Sequence, residues 1–263
     1  MKEKVKYTIT IVISIAIGVI GTLLTLNYCG LFDTKVLEKT IRTVSLSEKD
    51  TLKESIDKVY DSVVYIESLK NGNTIGSGSG FVYKKDDNSG YILTNYHVIE
   101  NVEEIRVQFI NGKDYIASIK GLKKENDIAL LSINLSDLDM STVTSIKVAT
   151  IGNSKKLKVG NGVIAIGNSL GYGLSTTTGV ISALNRKTMV DNYNMEMIQI
   201  DATINVGNSG GALLNNNGEV IGIVSAKYST KLSETSEAVE GIGFAIPISS
   251  VDSIITKFIN SNN

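Results

Sequence analysis

From Val63 onward the sequence is a series of short apolar runs at close spacing, with no amphipathic helix between them. That spacing restricts the fold more than any other feature. The runs extend from VVYIES (63–68) to GIGFAIP (241–247) and include IKVATIG (146–152). Asn-Gly, Asp-Asn and Ser-Gly turn signals fall between many of them. About a dozen strands so placed predict an all-β fold of barrels or a sandwich. Strands do not alternate with long helices, which disfavours a parallel α/β sheet. Abundant Ile, Val, Thr and Gly favour strands in the same way. Two helices flank the β region. A short one is predicted around Leu52, Ile56 and Val59. The other is predicted at the end of the chain, where Val251, Ile254, Ile255, Phe258 and Ile259 share one face. Ser249 with Asp252 has the spacing of a capping box for that last helix.

The first residues are of another kind. Lys2, Lys4 and Lys6 precede an uncharged segment, Tyr7 to Tyr28, and the next charge is Asp33. About 20 apolar residues span a bilayer as a helix. Lysines on the N-terminal flank put that end in the cytoplasm and the remainder outside. A single-pass anchor over 7–28 is expected, with a cytoplasmic tail at 1–6, a stalk at 29–51 and a globular domain at 52–263. A cleaved signal peptide is the alternative, although the run is long and no A-x-A-like site follows it. Lipidation of Cys29 is a third reading: Leu26 fits a lipobox, whereas Tyr28 is bulky where a small residue belongs.

Composition excludes several classes. Lys+Arg total 26 against Asp+Glu 27, so nothing suggests a nucleic-acid partner. One Cys allows no internal disulfide, and without a Cys/His cluster no zinc site or other metal is expected. No organic cofactor is implied.

The stretch DATINVGNSGGALL (201–214) sets Gly207, Gly210 and Gly211 around one Asn-Ser pair. A hairpin needs fewer glycines than that, so the backbone is expected to bend for a close approach. A serine becomes a nucleophile only with a base in reach and a third group holding the base's tautomer. The chain holds one His, His97, in GYILTNYHVIE. In KENDIALLSI, Asp127 stands before an apolar strand, between the His and Ser209 in chain order. Separately, His97 reads as an ordinary histidine, Asp127 as a turn cap and GNSGG as a hairpin. Together they supply every part the chemistry needs.

The blocks TNYHVI, NDIALL and GNSGGALL, in that order, resemble the HtrA/DegP family of trypsin-like serine proteases. GSGSGFV (76–82), VIAIGNSLGYGLSTTTGVISALNR (163–186), GEVIGIVSA (218–226) and GIGFAIPI (241–248) extend the likeness over residues 52–260. The resemblance implies two six-stranded antiparallel β-barrels, over residues 52–150 and 151–263. It makes Ser209 the nucleophile, His97 the general acid and base, and Asp127 the residue that orients His97. The oxyanion hole falls on the turn Gly207-Asn208-Ser209, with the N–H groups of Gly207 and Ser209 as donors. Family members commonly form homotrimers through the protease domain.

The position that is acidic in Lys/Arg-specific trypsins, six before the nucleophile, is Thr203 here, and Asp201 lies two further back. Ile204 and the strand around Val224, Ser225 and Ala226 would wall an apolar pocket. Cleavage after small or medium aliphatic residues of unfolded chains is expected, with modest discrimination. Val206 replaces a proline common in the family, which leaves the loop less preset. The PDZ domain that often follows is missing from the sequence, so substrate capture by strand addition is not expected. Ser182–Met197 and Ala226–Gly241 are expected as activation and pocket loops. The reading is a bacterial membrane-anchored endopeptidase acting on misfolded or exported proteins outside the cytoplasmic membrane. The alternatives are a low-turnover holdase on the same fold, or a narrow regulatory protease with one substrate.

Overall fold

The computed structural model describes residues 2–28, 51–169, 173–190, 193–226 and 241–261. Residues 29–50 of the expected stalk at 29–51, Cys29 among them, and residues 227–240 of the expected pocket loop lie outside them. The chain divides into two compact units, Met1–Asp50 and Thr51–Asn263.

In the first unit, helix α1 runs from Lys2 to Tyr28. At about 1.5 Å per residue its 27 residues measure about 40 Å. Among the described residues no helix is long and apolar enough to cross a membrane. The described side chains of α1 are exposed.

The second unit opens with a short helix, α2, at residues 51–57. Six strands follow: β1 (Val63–Lys70), β2 (Asn73–Lys85), β3 (Ser89–Thr94), β4 (Glu104–Gln108), β5 (Asp114–Lys123) and β6 (Ile128–Asn134). They close as an antiparallel barrel in the order β1-β2-β3-β6-β5-β4. After a one-and-a-half-turn helix, α3 (Met140–Ser145), six more strands build a second barrel. These are β7 (Gly162–Gly167), β8 (Ser175–Val190), β9 (Tyr193–Ile200), β10 (Ala212–Asn215), β11 (Val220–Val224) and β12 (Gly243–Pro247). Their order is β10-β11-β12-β9-β8-β7. Helix α4 (Ile248–Asn260) ends the unit.

Two-sided burial explains why these strands read as continuous apolar runs. Val64, Ile66, Ile92 and Leu131 fill the first barrel, while Val163, Ile198, Leu213 and Ile221 fill the second. The alternate residues of the same strands face outward into a third core. Phe81, Leu93 and Leu130 from one barrel meet Ile164, Ile166 and Leu214 from the other there, beneath Val251 and Ile255 of α4. Strands β3, β6, β7 and β11 are therefore buried at most positions, whereas β5, open to solvent on one side, is mixed.

Three sequence expectations are corrected. IKVATIG is no strand. It is the connection between barrels, held by Ala149 N–H to Val82 O at 2.9 Å and by a lone bridge of Ile151 to Val220. Ser182–Met197 is a β-hairpin over its described residues rather than a loop, paired from Arg186↔Met197 to Val190↔Tyr193. Two bulges and a left-handed Asn185 (φ 52°) bend it. The capping box of α4 is not formed. Pro247 sits at the N-cap, and Ser249 Oγ instead accepts from Ser154 N–H. Asp252 accepts from the Tyr83 hydroxyl at 2.8 Å. That carboxylate and burial, burial first, push the Tyr83 phenol well above its ordinary value.

Candidate active site

Strand register brings the first two residues together. β3 and β6 are neighbours, and their last paired residues are Thr94 and Ala129. The segment leaving β3 and the segment entering β6 must therefore lie side by side. Leaving β3, Asn95 leads into a 3₁₀ turn, Tyr96–Val98, that carries His97. Entering β6, a 3₁₀ turn at Lys124–Asn126 ends on Asp127 in the left-handed region (φ 49°). Asp, with its short polar side chain, adopts this region more readily than most residues other than glycine. The buried Asn95 donates from Nδ2 to the Asp127 carbonyl at 2.9 Å and fixes the turn.

His97 Nδ1 lies 2.9 and 2.8 Å from the two carboxylate oxygens of Asp127. The His97 backbone N–H donates to the same carboxylate at 3.0 Å. Both side chains are largely withdrawn from water, with 17% of His97 and 7% of Asp127 exposed. A carboxylate on Nδ1 holds the ring with its proton there, which leaves Nε2 as an acceptor. Ser225 Oγ lies 3.5 Å from Asp127 Oδ2.

The glycines of the third segment have distinct roles. Asn208 N–H returns to Asn205 O at 3.1 Å, with Gly207 at φ 97° in the third position of that turn. Gly211 N–H returns to Asn208 O at 2.9 Å, with Gly210 at φ 84° in the same position of the next turn. Successive type II turns need a positive φ at that position, which glycine supplies. Gly210 also lets the turn press on the first barrel. A Cβ there would stand 2.1 Å from Ser79 O and 2.3 Å from Thr94 Oγ1, next to the segment that carries His97.

Ser209, the second residue of the second turn, is 5% exposed. Its Oγ accepts from Ala226 N–H at 3.0 Å. Among the described residues it makes no hydrogen bond to His97, so the base and the hydroxyl are not yet engaged. Also among the described residues, the N–H groups of Gly207 and Ser209 donate to nothing, whereas Asn208 N–H is used within its turn.

The expected pocket residues divide. Thr203 is exposed and its carbonyl accepts from Thr177 Oγ1 at 3.0 Å. Ile204 is half-buried against the second barrel. Val224 is completely buried inside that barrel. Ser225 turns to Asp127, and Ala226 presents its N–H to Ser209. Asp201 accepts from Val180 N–H at 2.6 Å and so holds the bend in β8.

Two contributors at the site were given no role by sequence reasoning. Asn95, with its side-chain oxygen buried and unpartnered among the described residues, locks the Asp127 turn. Ser79 donates to Gly207 O at 2.7 Å. Both lie within runs quoted above, TNYHVI and GSGSGFV, but an Asn in a turn and a Ser among glycines carry no distinguishing signal. Beside His97, the Lys124 ammonium bonds to Glu100 at 3.1 Å and lies 5.6 Å from the centre of the Tyr96 ring. Burial, then the Glu100 charge, raise the Tyr96 phenol, and the bond to Glu100 raises Lys124.

Comparison with known proteins agrees with this arrangement. Residues 78–223 match the trypsin-like peptidase domain. The chain is 41% identical over 247 residues to the serine protease Do-like HtrB of Bacillus subtilis (strain 168), covering 86% of this chain and 51% of that protein. It is 40% identical over 221 residues to the serine protease Do-like HtrA of Lactobacillus helveticus, covering 81% and 51%. The chain thus spans about half the length of these relatives. Among solved structures, the serine endoprotease from Yersinia pestis superposes with a TM-score of 0.64 at 33% identity, covering 80% of this chain and 67% of that one. The HtrA-type protease AlgW with tripeptide superposes at 0.66 with 32% identity, covering 80% and 64%. Two closed barrels, a His–Asp pair held at hydrogen-bond distance and a doubly turned serine segment accord with these matches, and the chain belongs to the trypsin-like peptidases, among the HtrA/Do-like serine proteases.

Proposed function

We propose that this chain is a serine endopeptidase in which Ser209 attacks the peptide carbonyl, His97 moves the proton and Asp127 orients His97. The observation that carries the reading is the two-point grip of Asp127 on His97, through Nδ1 and the backbone N–H. It leaves Nε2 free to take the Ser209 proton as Oγ bonds to the substrate carbon. His97 then returns that proton to the leaving amine, and a second cycle with water releases the acid. Carbonyl charge develops within reach of the Gly207 and Ser209 N–H groups, which are without partners among the described residues. Such donors are worth about 10²–10³ in rate apiece. Acyl transfer of this kind proceeds on the chain's own groups.

Ser209 Oγ is bonded to Ala226 N–H rather than to His97. Catalytic hydrogen bonds are often long or misaligned without substrate. An extended substrate lying along 225–226 would complete the alignment. The same observation favours the second reading, a low-turnover binding protein.

The substrates we propose are unfolded or misfolded proteins, cut after small or medium aliphatic residues, because Thr203 and Ile204 offer no acidic pocket floor. The proposed setting is the outer side of the cytoplasmic membrane. Three lysines before the uncharged residues 7–32 support an N-terminal anchor with its start in the cytoplasm. A homotrimer is part of the proposal by family membership alone.

Incubation of the chain with unfolded casein, beside Ser209→Ala, tests the reading. Cleavage by the parent at aliphatic sites and none by the variant is expected. Casein bound but uncut by both would favour the binding protein, and dominant cutting after Lys or Arg would reject the pocket.

A further inference from the structure

The glycine-rich strand β2 carries a hydroxyl at the centre of the site that the proposed mechanism does not use, that of Ser79. Ser79 is completely buried, on the strand that faces the nucleophile turn. Its Oγ donates to the Gly207 carbonyl at 2.7 Å and accepts from Asn168 N–H at 2.8 Å. A carbonyl can only accept and a backbone N–H can only donate, so the direction of both bonds is fixed. The Ser79 backbone N–H donates to the Ser209 carbonyl at 2.7 Å, and the Ser79 carbonyl accepts from Thr94 Oγ1 at 2.7 Å. One residue of the first barrel therefore holds the carbonyls on both sides of the nucleophile turn.

We infer that Ser79 is a positioning residue for the oxyanion hole, its hydroxyl locking the Gly207 peptide so that the Gly207 and Ser209 N–H groups point to one place. This rests on the proposed serine-protease reading. The argument is one of peptide planes. The Gly207–Asn208 peptide is held at both ends, its C=O by Ser79 and its N–H by Asn205 O at 3.1 Å. Its neighbours on either side carry the two free N–H donors. Gly207 and Gly210 give the turn wide conformational freedom, so glycine torsions alone do not keep it in one state. Without the Ser79 hydroxyl, Gly207 O and Asn168 N–H would be left unpaired in a buried place, and rotation of the peptide toward other partners would become favourable. Ser79 makes no hydrogen bond to His97 or Asp127, so its influence should reach the developing charge and bypass the base.

The test uses the full chain in detergent, a casein-derived peptide spanning one of the parent's own cut sites, and the same peptide ending in an aldehyde, whose adduct with serine carries the oxyanion. Ser79→Ala is expected to lower kcat roughly 10- to 100-fold with KM within about twofold, less than outright loss of a donor. The aldehyde should bind more weakly by a similar factor, and the acid limb of the kcat/KM profile should keep its midpoint. Ser79→Thr, which retains the hydroxyl, should recover most of kcat. Should Ser79→Ala lose the fold, Ser79→Cys, with its weak donor, is read in the same way. Unchanged kcat and aldehyde affinity in a folded variant would overturn the inference while leaving the protease reading intact. A rise in KM alone, or a shifted acid limb, would also overturn it. A parent that cuts no peptide and forms no adduct would remove both.

Discussion

Asp127 shows how much of this site rests on single residues. Its backbone is left-handed, its carbonyl is tied to Asn95, and its carboxylate holds His97 at two points. Asp127→Asn keeps the shape but can donate to Nδ1 and so stabilise the wrong tautomer. It is expected to lower kcat by about 10⁴-fold, measured on the casein-derived peptide. Val206 occupies the second position of the first turn, where φ near −60° suits proline. Among the described residues its N–H bonds to nothing. Val206→Pro is therefore expected to stabilise the fold by about 0.4–1 kcal/mol in urea titration, with activity retained. The candidate triad was legible because the chain holds one histidine, and because an aspartate before an apolar strand and the serine of GNSGG follow it in the order that the resembling family shows. Ser79 and Asn95 were not, because their roles depend on the turns that the fold sets against them, Gly207–Ser209 and Lys124–Asp127.

At the scale of elements, helices tie the barrels down. Ile255 of α4 is completely buried in the core shared by both barrels. Ile255→Ala should cost about 2–5 kcal/mol in urea titration, because a rigid two-barrel core collapses little around the cavity. Helix α3 is capped at its N-terminus by Asp139, whose carboxylate accepts from Thr142 N–H at 2.9 Å and meets Lys113, Ser141 and Tyr115. These partners, Lys113 first, hold the carboxyl far below its ordinary range. A depressed folded value means that the stabilisation is present above the unfolded value of about 4 and is lost as the pH falls toward the folded one. The urea midpoint of Asp139→Asn should lie below that of the parent at pH 7, and the gap should close below about pH 4. Strands were legible wherever both faces are buried. IKVATIG misled because Ile146 and Ala149 are apolar for burial in two different cores, while the segment pairs only through the bridge at Ile151. The hairpin at 182–197 was hidden because its exposed pairs, such as Lys187 with Glu196, are polar and read as loop.

At the scale of the whole molecule, the two-barrel architecture followed from strand spacing and family likeness together, whereas the order of strands around each barrel came from the structure. Residues Thr51–Asn263 form a compact unit with its own cores. A truncated protein of residues 51–263 is expected to fold, remain in the soluble fraction and cut casein like the full chain. The full chain is expected in the membrane fraction, released by detergent and not by high salt. Full-chain protein in the soluble fraction would contradict the proposed anchor.

The central claim is that Ser209 is made reactive by His97. Reaction of the folded protein with a fluorophosphonate, followed by mass mapping of the labelled peptide, tests it most directly. One label on Ser209, abolished by His97→Ala, is predicted. No label on the parent, a label on another residue, or equal labelling of the His97 variant would contradict it.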